Sequence, residues 1–274
     1  MPSIEDLIRS FDLQPADGGG FVGTNADEHG VIFGGQLLGQ SIVAAASAHP
    51  GKMVKTVHTI FARAGSAADP VEISIDPVHD GRTFASTGVT ISQAGRVCAR
   101  SLVLLTADEP DLMRHADAAP ALAGPDESKV NAVGAWRIQV VGDVDVSKPD
   151  QVLPPDLDVW TMFAGAPDDP VTNQALVAYS TDAFLIGTSM LPHDGIGQAQ
   201  AHKTLQTGVV GHTLTFHEPL AAGEWFLISH HGTYAGHGRV YGRANVFRRD
   251  GALAASFVQD SMVRGRDPGA SGPL

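Results

Sequence analysis

The chain has 274 residues, 43% apolar and 18% charged, enough to bury one large core or two small ones. Its one cysteine, Cys98, excludes an internal disulfide, and a formal net charge of -12 opposes nonspecific nucleic-acid binding. No run approaches the roughly 20 apolar residues that span a bilayer. The opening MPSIEDLIRSFDL lacks a basic segment followed by an apolar one, and the terminal Gly-Pro-Leu is not a peroxisomal address. The expectation is a cytoplasmic protein with no signal peptide, no membrane insertion and no nucleic-acid partner.

The first predicted helix opens near Gly35. Gly34-Gly35 leads into Gln36-Leu37-Leu38-Gly39-Gln40-Ser41-Ile42-Val43-Ala44-Ala45-Ala46, and His49-Pro50-Gly51 stops it. It is apolar nearly all round and rich in small residues, which predicts a buried helix with a sheet wrapped close about it. Strand-like runs follow at 54–64 and 71–78. Those at 83–92 and 96–106 read as a hairpin around Gln93-Ala94-Gly95. Asp108-Glu109-Pro110, Ala119-Pro120 and Gly124-Pro125-Asp126 then break any long element, which reads as a linker holding at most a short helix. A second helix is predicted over 173–191, capped by Thr172 or Asn173, with Pro192 just beyond. Leu176, Val177, Phe184 and Leu185 form its apolar stripe, and Asp182 sits beside that stripe.

The pattern of the first half returns in the second. Val57-His58-Thr59-Ile60-Phe61 is similar to Gly211-His212-Thr213-Leu214-Thr215-Phe216. Gly81-Arg82-Thr83-Phe84 is similar to Gly238-Arg239-Val240-Tyr241, and the turn at Gly95 to the turn at Gly251. Matches in the same order at nearly the same offset argue for duplication. The expected fold is therefore α+β: a double hotdog, two fused repeats each with a long helix wrapped by a curled antiparallel sheet. The expected divisions are residues 1–107, a linker over 108–134, and residues 135–274. Joining the two sheets reduces exposed strand edges.

Three segments carry a family resemblance that covers nearly the whole chain and is weakest over 107–170. Val31-Ile32-Phe33-Gly34-Gly35-Gln36-Leu37-Leu38-Gly39-Gln40 resembles the start of the first helix in acyl-CoA thioesterase II proteins. His212-Thr213-Leu214-Thr215-Phe216-His217-Glu218-Pro219 with Glu224-Trp225 resembles a strand of that family, and 250–260 resembles its last strand. The resemblance implies hydrolysis of fatty acyl-CoA to free acid and CoA without a cofactor, acyl-CoA as the partner, and a homo-oligomer. It also implies a site made of an Asp on the second helix, a Thr or Ser on the next strand and a Gln on the last. Asp182 and Gln259 match. At the hydroxyl position this chain has Val209, and Gly211 stands where the family has Asp. Thr207 and Thr213 share the face of Val209 on an extended strand, Thr207 about 7 Å away. Either serves only if the strand shifts.

Thioester hydrolysis needs a positioned water, a group to take its proton and donors for the oxyanion. A carboxylate at Asp182 suits the second task, and the Gln259 amide can hold the same water. Backbone N–H groups at the Gly34-Gly35 helix start suit the third, since glycine lets a ligand approach and the helix dipole favours negative charge. The catalytic candidates are thus Asp182, Gln259, Thr207 and Thr213, and the substrate-contacting candidates Gly34, Gly35 and Val209. An anionic CoA would need local positive charge, for which Lys52, Lys55, Arg239, Arg243, Arg248 and Arg249 are the candidates. No Gly-x-Ser-x-Gly elbow is present, and Cys98 lies mid-strand, where a core role is expected. No metal site is expected, because His212 and His217 face opposite ways on a strand, as do His230 and His231. Two other readings stay open. One is a noncatalytic acyl-CoA or lipid-binding hotdog protein, which the valine at 209 favours. The other is a hydratase, which would need an Asp/His pair.

Overall fold

The computed structural model describes residues 2–27 and 29–266; the expected end of the C-terminal repeat, residues 267–274, lies outside them. A short helix α1 (Ile4–Phe11) comes first, closed by a capping box between Ser3 and Asp6. Strands β1 (Gln14–Pro15) and β2 (Phe21–Gly23) follow, then helix α2 (Gly34–Ala48) and strands β3 (Met53–Phe61), β4 (Val71–Asp80), β5 (Phe84–Gln93) and β6 (Arg96–Thr106). After a linking stretch come β7 (Asn131–Val133), β8 (Trp136–Val140) and β9 (Asp156–Phe163). Helices α3 (Pro170–Thr181) and α4 (Leu185–Met190) precede β10 (Leu205–Phe216), β11 (Phe226–Gly236), β12 (Arg239–Arg248) and β13 (Leu253–Gly265).

All thirteen strands form one sheet, ordered β1-β2-β4-β5-β6-β3-β10-β13-β12-β11-β9-β8-β7, with every pairing antiparallel. The run β2-β4-β5-β6-β3 in one half has its counterpart in β9-β11-β12-β13-β10 in the other. The two runs meet where β3 pairs with β10. Each half encloses its own helix, and side chains such as Leu38, Ile42, Leu176 and Phe257 bury completely or nearly so between helix and sheet. Among the described residues no helix is long and apolar enough to cross a membrane.

The β5–β6 turn is tight because Ala94 and Gly95 both take positive φ, 47° and 70°, the two-residue hairpin geometry that follows strand twist. The stretch before β7 lies along the outer face of the C-terminal sheet. There Ala119 and Leu122 pack on Trp160, Leu227 and Phe247, and the Trp160 indole donates to the Ala123 carbonyl. Its only helical turn is a 3-10 turn at Glu127–Lys129.

Three expectations need correction. The second helix begins at Pro170 and is capped by Asp169, whose carboxylate accepts from the Thr172 N–H; neither Thr172 nor Asn173 is the cap. It ends at Thr181, because Phe184 takes φ 68° and turns the chain into the separate α4. His58 and His212, matched by sequence, lie on opposite faces: His58 is exposed and His212 is buried. A β-bulge between Val209 and Gly211 shifts the faces of β10 by one residue relative to an unbroken strand.

Helices α2 and α3 pack unusually close. A Cβ on Gly35 would sit inside contact distance of the Tyr179 carbonyl oxygen and 2.6 Å from the Phe33 ring; one on Gly39 would sit 2.5 Å from the Phe11 ring and 3.2 Å from the Ala175 carbonyl oxygen. Gly35→Ala gains about 1 kcal/mol of helix propensity but overpacks a backbone contact, at a typical cost of about 1–3 kcal/mol. The variant is expected to unfold at lower denaturant than wild type; equal midpoints would show that the helices separate without cost.

Candidate active site

The close helix contact sets the position of one carboxylate. Asp182 is the first residue past α3, with φ -80° and ψ -4°. Its Oδ2 accepts from the Gly35 N–H at 3.1 Å, at the start of α2. Its Oδ1 faces the Gln259 Nε2 at 3.4 Å. A Cβ on Gly34 would stand 2.6 Å from the same Oδ2, so the carboxylate occupies the space that glycine leaves open. Asp182 and Gln259, far apart in sequence, are thus brought together, and Gly34 and Gly35 are brought to them. The Gly35 N–H is taken by the carboxylate and is not available to an oxyanion, which corrects that expectation. The Gly34 N–H stands at the first helical position, where no intrahelical acceptor exists.

Gln259 is 1% exposed, and its carbonyl Oε1 has no hydrogen-bond partner within the protein. Such an atom is costly to bury unless a ligand or water completes it. Gln259 pairs across β10 with His212, whose ring stacks on Phe257 at 5.3 Å between centroids. His230 lies edge-on to the other side of Phe257 and 5.9 Å from the Phe184 ring. The sequence alone assigns these histidines no role in the site; weighed as metal ligands they are set aside, and His212 serves only as a marker of the repeat and of the family strand. Their burial was the missing signal, and it requires the strand faces.

The hydroxyl candidates separate. Thr213 is on the outer face, 2.7 Å from the exposed His58 Nδ1, and takes no part in the site. The reason is the bulge: His212, not Thr213, follows Val209 on the inner face. Thr207 is buried on the inner face but pairs with Val263, whereas Gln259 pairs with His212; Val209 lies between them, opposite Ser261. Three of the six basic candidates are engaged elsewhere. Lys52 pairs with Asp80, Lys55 donates to the Phe216 carbonyl, and Arg248 pairs with Asp250.

Beside Phe33 and Tyr179 a cavity of about 220 Å³ opens, walled by Leu7, Ile32, Gln36 and Trp136. A larger hollow of about 470 Å³ lies at the other end of the helix pair, around Ser47, Lys52 and Val171, away from the carboxylate.

Burial pushes the Asp182 carboxyl up from an ordinary 3.8 to about 7, against the lowering effect of the Gly35 N–H. The residue keeps part of its surface open to solvent. Burial holds His212 and His230 down at about 4, so both are neutral, and it lifts Tyr179 to about 12. Of these four groups, Asp182 alone changes charge near neutral pH.

The sequence profile of the acyl-CoA thioesterase N-terminal domain matches residues 24–106, and that of the acyl-CoA thioesterase C-terminal domain matches residues 113–263. Acyl-coenzyme A thioesterase 8 of Mus musculus is 26% identical over 264 residues, which cover 85% of this chain and 80% of that protein. Acyl-CoA thioesterase 2 of Haemophilus influenzae is 23% identical over 283 residues, covering 95% and 98%. Among solved structures, an acyl-CoA thioesterase II from Mycobacterium marinum superposes with a TM-score of 0.80 at 25% identity, covering 96% of this chain and 99% of that one. A hot dog fold protein of unknown function from Alicyclobacillus acidocaldarius gives 0.74 at 19%, covering 95% and 98%.

The raised carboxyl has a thermodynamic signature. Between about pH 4 and pH 7 the folded protein holds a proton on Asp182 that the unfolded chain releases, so this group's contribution to stability falls as pH rises through that window. Asp182→Asn removes the ionisable group and is expected to melt above wild type at pH 8 and level with it only below about pH 4, where the unfolded chain is protonated too. An equal difference at both values would show that the carboxyl is not raised.

Proposed function

Because the chain belongs to the acyl-CoA thioesterase family and is a thioester hydrolase, we propose that it hydrolyses fatty acyl-CoA at Asp182 and Gln259, with water as the nucleophile. The observation that carries this reading is the pair itself. A half-buried carboxyl that titrates near neutrality stands beside an amide whose buried carbonyl oxygen has no partner. A water there donates one hydrogen bond to Asp182 and one to Gln259 Oε1. Asp182 takes the proton as the water oxygen bonds to the thioester carbon. The carbonyl electrons move to oxygen, where the Gly34 N–H at the positive end of α2 meets the developing charge. As the carbonyl re-forms, the C–S bond breaks and CoA leaves as thiolate, which recovers a proton from Asp182 or solvent. The apolar cavity beside Phe33 and Tyr179 suits the acyl chain, and its volume favours a short or bent one.

The noncatalytic reading, an acyl-CoA or lipid-binding protein, draws support from Val209, which carries no hydroxyl. Thiol release from a series of acyl-CoAs separates the two. Asp182→Asn is expected to lower kcat about 100- to 10,000-fold with little change in acyl-CoA affinity. Wild-type kcat/KM is expected to rise with pH through about 7 and level off, since the base works deprotonated. Tight acyl-CoA binding by a wild type that releases no thiol would favour the noncatalytic reading.

Crowding at Gly34 gives a second test. Gly34→Ala puts a methyl group where the Asp182 carboxylate sits. It is expected to cost at least 10-fold in kcat while the melting temperature stays near wild type, because the displaced atoms end a side chain. Full activity would mean that the carboxylate works from another position.

A further inference from the structure

We propose that His212 is a positioning residue for the hydrolysis: through one buried water it holds the Gln259 carbonyl oxygen and so keeps the amide nitrogen turned to Asp182. This role rests on reading Asp182 and Gln259 as the water site. Buried polar atoms that nothing in the protein meets gather here. Both ring nitrogens of His212 are such atoms, and so is Gln259 Oε1. Each of the two residues is 1% exposed. Atoms of this kind are costly to bury unless a water or ligand completes them. His230, on the other side of Phe257, differs: its Nδ1–H donates to the Leu157 carbonyl at 3.0 Å, so the backbone anchors it. His212 has no such anchor. It has only the face of Phe257, stacked on its ring at an interplanar angle of 12°.

Register makes His212 and Gln259 neighbours. They pair directly across β10 and β13, and both are buried on the inner face. Side chains at directly opposed positions start from Cβ atoms about 4.5–5.5 Å apart. Ring and amide oxygen do not bond each other directly. One water with bonds of about 2.8 Å to each bridges a gap of up to about 5.5 Å. On its other flank His212 pairs with Thr59 of β3. That hydroxyl has no proton to give: Ser41 donates to the Leu37 carbonyl and Ser101 to Ser41, so Thr59 donates to Ser101. Burial holds the imidazole neutral, with a pKa of about 4, so it carries one N–H and one lone pair. The carbonyl of Thr181, the residue before Asp182, lies near the ring and opposes that lowering, which puts the N–H on its side without a closed bond. The other nitrogen then accepts from a water, and the second proton of that water goes to Gln259 Oε1.

The amide needs this second hold because the carboxyl beside it changes state. While charged, Asp182 attracts Gln259 Nε2, which stands 3.4 Å from its Oδ1. Once Asp182 has taken the proton of the attacking water, its O–H donates as readily to an amide oxygen, and the preference for Nε2 is lost. A flipped amide would present a donor where the next water must give its proton. Gln259 Oε1 has two lone pairs, one for the attacking water and one for the water on His212. His212 thus acts through Gln259 and touches no reacting atom.

Thiol-release kinetics and melting temperatures of His212→Phe, His212→Gln and Asp182→Asn test this. His212→Phe keeps a flat ring against Phe257 and removes both nitrogens. It is expected to lower kcat roughly 5- to 50-fold, the worth of one buried hydrogen-bonded link, with KM nearly unchanged. Its melting temperature is expected to stay at or above that of wild type, because an apolar ring leaves no polar atom there to satisfy. His212→Gln is expected to do the reverse. It melts lower, having lost the stacked ring, and keeps kcat nearer wild type, since its amide holds the water. A merely structural histidine would move both readouts together. A His212→Phe enzyme as fast as wild type, beside a slow Asp182→Asn, overturns the role of His212 and leaves the water site standing. A kcat that falls with melting temperature across both His212 variants overturns it as a packing effect. Full activity in Asp182→Asn, or no thiol release by wild type, overturns the water site and this role with it. Should His212→Phe fail to fold, His212→Leu, closer to histidine in volume, is read in its place.

Discussion

The structure turns on the contact between the start of α2 and the end of α3. Two helices can come this close only where side chains are missing, and Gly35 and Gly39 on α2 supply the gaps, facing the Tyr179 and Ala175 carbonyls on α3. The contact carries the Asp182 carboxylate, just past α3, onto the Gly35 N–H. A helix start favours a negative charge, while burial opposes it. Burial prevails, and the carboxyl is lifted to about 7. Packing that belongs to the core thus lifts Asp182 into the range where its charge changes near neutral pH.

Duplication then makes one polar site out of two similar halves. At the seam a row of inward residues runs Gln259, His212, Thr59, Ser101 across β13, β10, β3 and β6. On the N-terminal side the row closes on itself, Thr59 with Ser101 and Ser101 with Ser41. On the C-terminal side it stays open, with Gln259 Oε1 unpartnered and the carboxylate beside it. The row is hydrogen-bonded through in one half and open in the other.

Much of this was legible in the sequence, for physical reasons that also explain what was not. Helix α2 shows as an apolar run with a glycine start and a proline stop, and its limits follow from those residues. The β5–β6 hairpin shows because Gly95 must take a positive φ. Asp182 stands out as a carboxylate against an apolar stripe, and Gln259 through the resemblance of the last strand. Helix α1 was not legible, since eight residues hold too few turns for a periodic pattern to rise above noise. The break at Phe184 was hidden because a bulky residue rarely takes φ 68°. Thr213 was misplaced for a reason specific to sheets: one extra residue at the bulge reverses every inward position after it, and nothing in Val209-Val210-Gly211 announces the extra residue.

In the proposed mechanism the thioester carbonyl lies between the start of α2 and the Asp182–Gln259 pair. A crystal structure with an acyl-CoA analogue in which a methylene replaces the thioester sulfur measures this directly. The predicted result is a carbonyl oxygen within about 3 Å of the Gly34 nitrogen, its carbon facing Asp182 and Gln259, and the acyl chain entering the cavity beside Phe33 and Tyr179. A carbonyl bound elsewhere, such as in the hollow by Ser47 and Lys52, would contradict it.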